Sequence, residues 1–250
     1  DDKLQQAALH SGGHLTLQAG DNLRADAADL KAAGNLNLSS AKQLQLGIQE
    51  VQTLNANENN HRYWGGIGGA NEAEKSRRST QVQGTHLQSG QTLTLNGQQG
   101  VELVSADANA RQGAYVSSNG DIHIRSANSS TQERDHNRTG TAFNITKHAE
   151  TTAAQDTRNQ GSDLRAEQDL KVSGGQDVTL TGSRLQSQGT TEINAGKNLQ
   201  IEQGTDTHQS SKETADLHGT TYAHKSGDSE YRAGAGLEFT RDSHSESAQT

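Results

Sequence analysis

The chain has 250 residues, of which 28% are hydrophobic and 3% aromatic, and its formal net charge at pH 7 is −8. An ordinary globular domain is about 45–50% apolar, so these residues do not suffice for a large rounded core. The absence of cysteine excludes disulfides, thiolate metal sites and a cysteine nucleophile. The negative charge argues against nucleic acid as a partner. Because the chain begins at Asp1, we expect an internal fragment of a longer protein.

Apolar residues recur at a spacing of 21 residues from the start of the chain. Leu9, Leu15, Leu17 and Leu23 are each followed 21 residues later by another leucine, and apolar positions advance in steps of 6, 8 and 7 residues. A fixed period near 20 residues is typical of a solenoid, in which each coil buries its apolar row by stacking on the next. Three short strands in each coil predict an all-β fold, a right-handed parallel β-helix of triangular section with coils about 4.8 Å apart.

Individual strands are predicted where a glycine or polar turn precedes an apolar–polar–apolar triplet. Alternation with a period of two places one side chain inward and the next outward. Glycine and asparagine in the turns permit the backbone conformations that tight corners require. In chain order, the segments with this pattern are GGHLTL (12–17), AGNLNL (33–38), GQTLTL (90–95), NGDIHI (119–124), GQDVTL (175–180) and GKNLQI (196–201).

A second, longer period groups the 21-residue coils. It divides the single β-helical fragment, 1–250, into coil pairs and polar inserts. The predicted coil pairs are 8–51, 84–129 and 161–206, and the predicted inserts are 52–83, 130–160 and 207–250. The inserts contain most of the tyrosine, histidine and charged residues. Either hairpin strands that project from the helix or wider, irregular coils are compatible with this pattern. We favour hairpins and loops.

The coil pairs resemble the haemagglutinin repeats of filamentous-haemagglutinin-like proteins, the large exoproteins of bacterial two-partner secretion. Segments 84–108 and 161–211 carry the resemblance, since each begins with Gly-Thr or Gly-Ser and continues with apolar triplets after glycine turns. Lys225-Ser226-Gly227 resembles the end of the repeat unit. Residues 8–60 fit more loosely, because Ala25 stands where Leu103 and Leu180 occur.

The polar tail that follows each coil pair resembles the second repeat region of contact-dependent growth inhibition effectors. This resemblance implies a secreted protein at the bacterial cell surface, exported through an outer-membrane two-partner secretion transporter. It also implies contact with the outer membrane or a surface receptor of a target cell, and delivery of a C-terminal toxin to neighbouring bacteria. A filamentous-haemagglutinin-like adhesin that binds host cells or matrix is the alternative.

A polysaccharide-active enzyme is a third alternative, because the β-helix also occurs among such enzymes and fold alone does not exclude catalysis. Such a site needs convergent carboxylates or a basic residue on one solvent-facing sheet. Asp21, Asp169 and Asp177 occur at strand starts, where a role in capping turns is sufficient. We therefore predict no catalytic site, no cofactor and no small-molecule substrate.

A metal site is likewise not predicted, because the 11 histidines are scattered and no HExxH motif occurs. The nearest approaches to a ligand set are His218 with His224, and Asp206 with His208. Neither pair brings together enough ligands for a metal ion.

Candidate contact residues lie in the inserts. Aromatic side chains in an aromatic-poor chain stack on sugars or sit at a membrane interface, and the alternative is that they pack against the side of the solenoid. The basic cluster of Lys75, Arg77 and Arg78 is either a contact for lipopolysaccharide or another anionic glycan, or a solvated surface. The aromatic candidates are Tyr63, Trp64, Tyr222, Tyr231 and Phe239.

Overall fold

The computed structural model describes residues 6–62, 69–141, 146–226 and 230–250, and every regular element within them is a β-strand. The strands up to the first gap are β1 (Ala8–Ser11), β2 (Leu15–Ala19), β3 (Leu23–Asp26), β4 (Asp29–Ala32), β5 (Leu36–Ser40), β6 (Gln43–Gly47) and β7 (Gln49–Arg62). The next are β8 (Gly69–Gln83), β9 (His86–Ser89), β10 (Leu93–Gly97), β11 (Gly100–Val104), β12 (Asp107–Ala110), β13 (Ala114–Ser118), β14 (Asp121–Arg125) and β15 (Ala127–Thr141). The last are β16 (Thr146–Gln160), β17 (Asp163–Ala166), β18 (Leu170–Gly174), β19 (Val178–Thr181), β20 (Arg184–Ser187), β21 (Thr191–Ala195), β22 (Leu199–Glu202), β23 (Thr207–Ser226) and β24 (Glu230–Gln249).

The short strands form three parallel sheets, each with one strand from every coil. The strand orders are β1-β4-β9-β12-β17-β20, β2-β5-β10-β13-β18-β21 and β3-β6-β11-β14-β19-β22. Leu9 pairs with Leu30, Leu15 with Leu36, and Leu23 with Leu44, so the 21-residue spacing is the register of stacked coils. The predicted parallel β-helix is confirmed.

Inward side chains of successive coils stack into continuous apolar columns. In the second sheet, Leu95 pairs with Leu38 on one side and with Val116 on the other. All three side chains are at most 1% exposed. Because each coil contributes only a few inward residues, a narrow core suffices, which explains how a chain with so few apolar residues folds.

The stack continues in register where a long segment intervenes in the sequence. Leu30 pairs with Leu87, 57 residues later, and Ala108 pairs with Leu164, 56 residues later. The chain leaves after β6 and β14, both in the third sheet, and returns at β9 and β17, both in the first sheet. Both departures therefore occur at the same corner of the coil.

Buried hydroxyl groups join the backbone at the two points of return. The Thr85 hydroxyl donates to the Ala25 carbonyl oxygen at 3.0 Å. The Ser162 hydroxyl donates to the Arg125 carbonyl oxygen at 3.0 Å and accepts from the Ala106 N–H at 3.0 Å. Both side chains are 1% exposed. These bonds give a physical reason for the Gly-Thr and Gly-Ser dipeptides that open the repeat units.

Replacing the buried hydroxyl by a methyl group is expected to destabilise the β-helix. Ser162→Ala leaves the Ala106 N–H without its acceptor in a site closed to water, which costs about 1–3 kcal/mol. Chemical denaturation of the purified chain measures the change. Ser173→Ala, an outward serine of β18, is the matched control and is expected to stay within about 0.5 kcal/mol of the parent. Equal effects of the two substitutions would contradict the role of the Ser162 hydroxyl.

The six long strands form a separate sheet, called here the hairpin sheet, in the order β24-β23-β16-β15-β8-β7. The registers of β16 with β23 and of β23 with β24 are antiparallel. The contacts between β8 and β15 also indicate an antiparallel pair. Lys75 contacts Asp135 and Ser79 contacts Thr131, so residue numbers rise along β8 as they fall along β15. The inserts are thus hairpins rather than wider coils, and in addition the three hairpins pair with one another.

The chain divides into two compact units. The described residues of 1–51, 80–129 and 158–206 form the β-helix unit, and those of 52–79, 130–157 and 207–250 form the hairpin unit. All buried hydrophobic side chains found in the described part of the chain belong to the β-helix unit. The hairpin unit is therefore held by backbone hydrogen bonds and cross-strand side-chain pairs, and neither of its faces is covered by an apolar layer of its own.

Candidate functional site

The hairpin unit carries the predicted contact residues that the structure describes. Tyr63 and Trp64 lie outside the described residues. Tyr222 and Tyr231 belong to β23 and β24, and their side chains are outside the described part. Phe239 on β24 is 66% exposed. Phe239 is thus the aromatic candidate whose side-chain environment the structure shows.

The predicted basic cluster is divided between the two faces of the hairpin sheet. Successive side chains of a strand point to opposite faces, so Arg77 and Arg78 on β8 do not share a surface. Lys75 and Arg77 lie on one face, and Arg78 on the other. A contact at this position therefore uses either Lys75 with Arg77, or Arg78 with partners from other strands.

The face that carries Lys75 is called here the paired face, because its charges contact each other. Lys75 Nζ lies 3.1 Å from Asp135 Oδ2 and 3.3 Å from Glu133 Oε1. The hydrogen bonds that Lys75 donates to Asp135 and Glu133 raise the pKa of the Lys75 ammonium above its ordinary value. Lys75 is therefore already engaged by two carboxylates of this chain.

The same pattern continues across the paired face on β16, β23 and β24. His148 Nδ1 lies 2.6 Å from Asp216 Oδ1, and Lys212 Nζ lies 3.1 Å from Glu150 Oε1. A hydrogen bond with His244 lowers the pKa of Glu246 below its ordinary value. Most charges of this face pair within the sheet, and the exposed Arg77 is a cation there without an ion pair among the described residues.

The opposite face, called here the open face, carries cations without carboxylate partners. In the part of the chain that the structure describes, none of Arg78, Arg134, Arg138 and Lys147 forms an ion pair, whereas Arg241 contacts Glu213. Arg78, Arg134 and Arg138 are exposed. The open face thus has free positive charge although the chain as a whole is negative.

An apolar group lies on the open face toward the closed end of the third hairpin. Leu217 pairs directly with Phe239, and Leu237 is the neighbour of Phe239 on the same side of β24. Leu237 is 77% exposed and Phe239 is 66% exposed. Large apolar side chains with this much exposure are available for contact with a partner surface.

A groove of about 650 Å³ crosses the open face at right angles to the strands. Its floor consists of two adjacent rows of cross-strand neighbours, with Gln155 opposite Gln209 and Ala153 opposite Ser211 in the observed registers. The first row is Arg78, Gln132, Gln155, Gln209 and Ser247. The second row is Ser76, Arg134, Ala153, Ser211 and Ser245.

The chemistry of the groove is polar and cationic. The two rows combine two guanidinium groups with three amides and four serine hydroxyls, and Leu54 also lines the groove. Glu133 and Glu246 also border the groove, but their carboxylates engage Lys75 and His244 on the paired face. The groove is suited to a ligand that is both anionic and rich in hydroxyl groups.

The aspartates considered for catalysis bind backbone N–H groups or a lysine of the adjacent coil. Asp169 Oδ1 accepts from the Thr190 N–H at 2.8 Å, and Asp177 Oδ1 accepts from the Asn198 N–H at 3.0 Å. Asp21 Oδ1 lies 2.6 Å from Lys42 Nζ. These carboxylates hold one turn on the next, so each has a structural role that accounts for its position.

The described residues contain no group of three or more His, Cys, Asp or Glu side chains placed to hold a metal ion. His208 pairs with Asp156, and Asp206 accepts from the Asn159 N–H, so neither faces the other as a ligand pair. No helix in the described ranges is long and apolar enough to cross a membrane.

Comparison with known families agrees with this architecture. A family model described as Hemagglutinin repeat matches residues 65–149 and 143–250. The chain belongs to the hemagglutinin repeat family. The resemblance drawn from 84–108 and 161–211 to filamentous-haemagglutinin-like repeats is thereby confirmed.

Two curated relatives of this hemagglutinin repeat chain are named hemolysins. It is 32% identical over 244 residues to the Hemolysin of Serratia marcescens, a match that covers 97% of this chain and 15% of that protein. It is 32% identical over 145 residues to the Hemolysin of Proteus mirabilis, which covers 58% of this chain and 9% of that protein. No solved structure matches. The chain therefore spans only a small part of these relatives.

Reasoning from the sequence missed Arg134 and the glutamine row as partners of Arg78. The alternation of side chains along a strand places Arg77 and Arg78 on opposite faces, and this separation could have been predicted from the sequence. The strand that pairs with β8 could not be predicted from the sequence. The inserts lack the inward apolar pattern that determines the register of the coils. Pairing of the hairpins brings Arg134 into the groove.

Proposed function

We propose that this chain is a structural and interaction segment of a secreted bacterial surface exoprotein. The β-helix supplies a stiff stalk and the hairpin sheet supplies the contact surface. The observation that carries the proposal is the difference between the two faces of the hairpin sheet. One face pairs most of its charges, whereas the other exposes Arg78, Arg134 and Arg138 without ion pairs among the described residues, together with Leu237 and Phe239.

A stalk role is supported by how the β-helix is stabilised. Each coil contacts only its neighbours, so stability accumulates along the stack without any distant contact. The chain contains no cysteine and therefore needs no oxidation to fold. These properties suit a protein that crosses an outer membrane unfolded, through a two-partner secretion transporter, and then folds coil by coil outside the cell.

The proposed target is the outer membrane or a surface receptor of another cell. The relatives named hemolysins support a parent exoprotein that damages target cells rather than one that only adheres. As the finer proposal, the segment supports contact-dependent delivery of a C-terminal toxin to neighbouring bacteria. An adhesin for host cells or matrix is the alternative that the same contact surface would serve.

Binding to membranes tests this proposal and its dependence on the open face. The labelled chain is incubated with outer-membrane vesicles of related bacteria, with erythrocyte ghosts and with epithelial cells. The double substitution Leu237→Ser and Phe239→Ser is expected to weaken binding to vesicles about tenfold, because transfer of each large apolar side chain out of water contributes about 1.5–3 kcal/mol when complete. Ile201→Ser is the matched control, since Ile201 is 67% exposed but lies in the β-helix unit.

The outcomes separate the alternatives. Capture by bacterial vesicles that depends on Leu237 and Phe239 supports delivery to neighbouring bacteria. Capture by epithelial cells alone moves the assignment to a host adhesin, and cleavage of an acidic polysaccharide would move it to an enzyme. If no membrane captures the chain, the contact role is wrong and a passive stalk is the better description.

A further inference from the structure

We propose that the groove on the open face of the hairpin sheet binds an anionic saccharide chain laid across the strands. This inference rests on the contact role proposed above and names the ligand class of that surface. The shared chemistry is a run of sugar units that carries carboxylate, sulfate or phosphate groups. A bacterial lipopolysaccharide core and a host glycosaminoglycan are two sources of it.

Positive charge in the groove comes from two arginines on neighbouring strands. Ser76 and Arg134 belong to one row and Arg78 and Gln132 to the next, so Arg78 and Arg134 are diagonal neighbours, about 7–8 Å apart at the backbone. Arginine presents a planar fork of donors that matches the oxygens of carboxylates, sulfates and phosphates. Arg78 and Arg134 are exposed and form no ion pair within the described residues, so both guanidinium groups are available to such a ligand.

The remainder of the groove suits sugar hydroxyl groups. The row Gln132, Gln155 and Gln209 places one amide on each of three adjacent strands, and Ser247 continues it on β24. Amides and hydroxyls both donate and accept, as sugar hydroxyls do. Adjacent strands are about 4.8 Å apart, close to the length of one sugar unit in a chain, so successive units meet successive polar side chains.

Other classes of ligand fit the groove less well. An acyl chain needs a continuous lining of apolar residues, and among the described residues that line the groove the apolar ones are Leu54, Ala153 and Ala154. Single-stranded nucleic acid is bound by stacking on aromatic side chains, and none of the described residues that line the groove is aromatic. The net charge of −8 also opposes a long polyanion except where local cations are concentrated, as they are here.

Binding to purified glycans tests the inference independently of membranes. Affinity is measured by calorimetry for a heparin oligosaccharide, a lipopolysaccharide core oligosaccharide and neutral dextran. The double variant Arg78→Gln and Arg134→Gln is expected to lose at least tenfold in affinity for the anionic glycan that binds. Arg77→Gln removes the same charge from the next residue but on the paired face, and it is expected to change affinity less than twofold.

A second variant tests the polar row without altering charge. Gln155→Leu is expected to weaken glycan binding about fivefold or more while the chain keeps its circular dichroism and denaturation midpoint. Preference for heparin or for the lipopolysaccharide core assigns the source of the glycan, and either supports the inference. A loss of affinity for Arg77→Gln as large as that of the double variant, or equal binding of dextran, would overturn it. Failure of all three glycans while vesicles still capture the chain would refute the groove and leave the contact role intact.

Discussion

Leu95→Asp is expected to unfold the middle of the β-helix, whereas Thr94→Asp beside it is tolerated. The Leu95 side chain is 0% exposed and stacks between Leu38 and Val116. Aspartate at this position loses the apolar contacts and places a carboxylate where no partner reaches it. The loss of a buried leucine together with an unpaired buried charge costs about 5 kcal/mol, a large fraction of the stability of a domain.

The comparison with Thr94→Asp tests the inward and outward assignment directly. Thr94 points outward from the same strand, beside Asn37 and Tyr115. Chemical denaturation and limited proteolysis measure the two variants. Because a solenoid is stabilised by neighbouring coils, Leu95→Asp should admit cleavage near β10 first. Equal stability of the two variants would show that this register of the β-helix is wrong.

Gly84→Ala is the second substitution for which a large effect is expected. An ideal Cβ at Gly84 would lie 1.7 Å from the Ser105 carbonyl oxygen, far closer than atoms approach without bonding. Ser105 belongs to the backbone of the next coil and has a left-handed φ of 49°, so it has little freedom to move. The added methyl group must therefore push two backbones apart, which costs about 3 kcal/mol.

The position of Gly84 makes this test informative about the return of the chain from the first hairpin. It precedes Thr85, whose hydroxyl binds the Ala25 carbonyl oxygen. Gly20→Ala is the matched control, because no atom lies within 4 Å of its ideal Cβ. Denaturation midpoints of the two variants give the difference. A stable Gly84→Ala variant would mean that the return point is more open than the structure shows.

The coils could be predicted because each residue of a coil strand has a distinct environment. Inward leucines such as Leu36 and Leu38 alternate with the outward Asn37, and the same alternation returns 21 residues apart. A one-residue slip would expose the leucines and bury the polar residues, so the hydrophobic pattern determines the register. The number of strands in a coil and the order in which they pair could therefore be predicted from the sequence.

The pairing of the hairpins was not predictable in the same way. Lys75 faces Asp135, and Gln155 faces Gln209, across strands that have polar residues on both faces. Several registers of such strands satisfy the same backbone hydrogen bonds without burying different apolar surface. Nothing in the local pattern of 52–83 therefore shows which part of 130–160 lies beside it.

The sequence by itself determined the β-helix of this protein, its family and the polar character of its inserts, because burial of apolar rows leaves a periodic pattern in the chain. Only the tertiary structure decided that the three hairpins share one sheet. It also decided that Arg78 joins Arg134 rather than Arg77. The physical reason is that strand pairing between distant segments places side chains together without leaving a periodic signal in either segment.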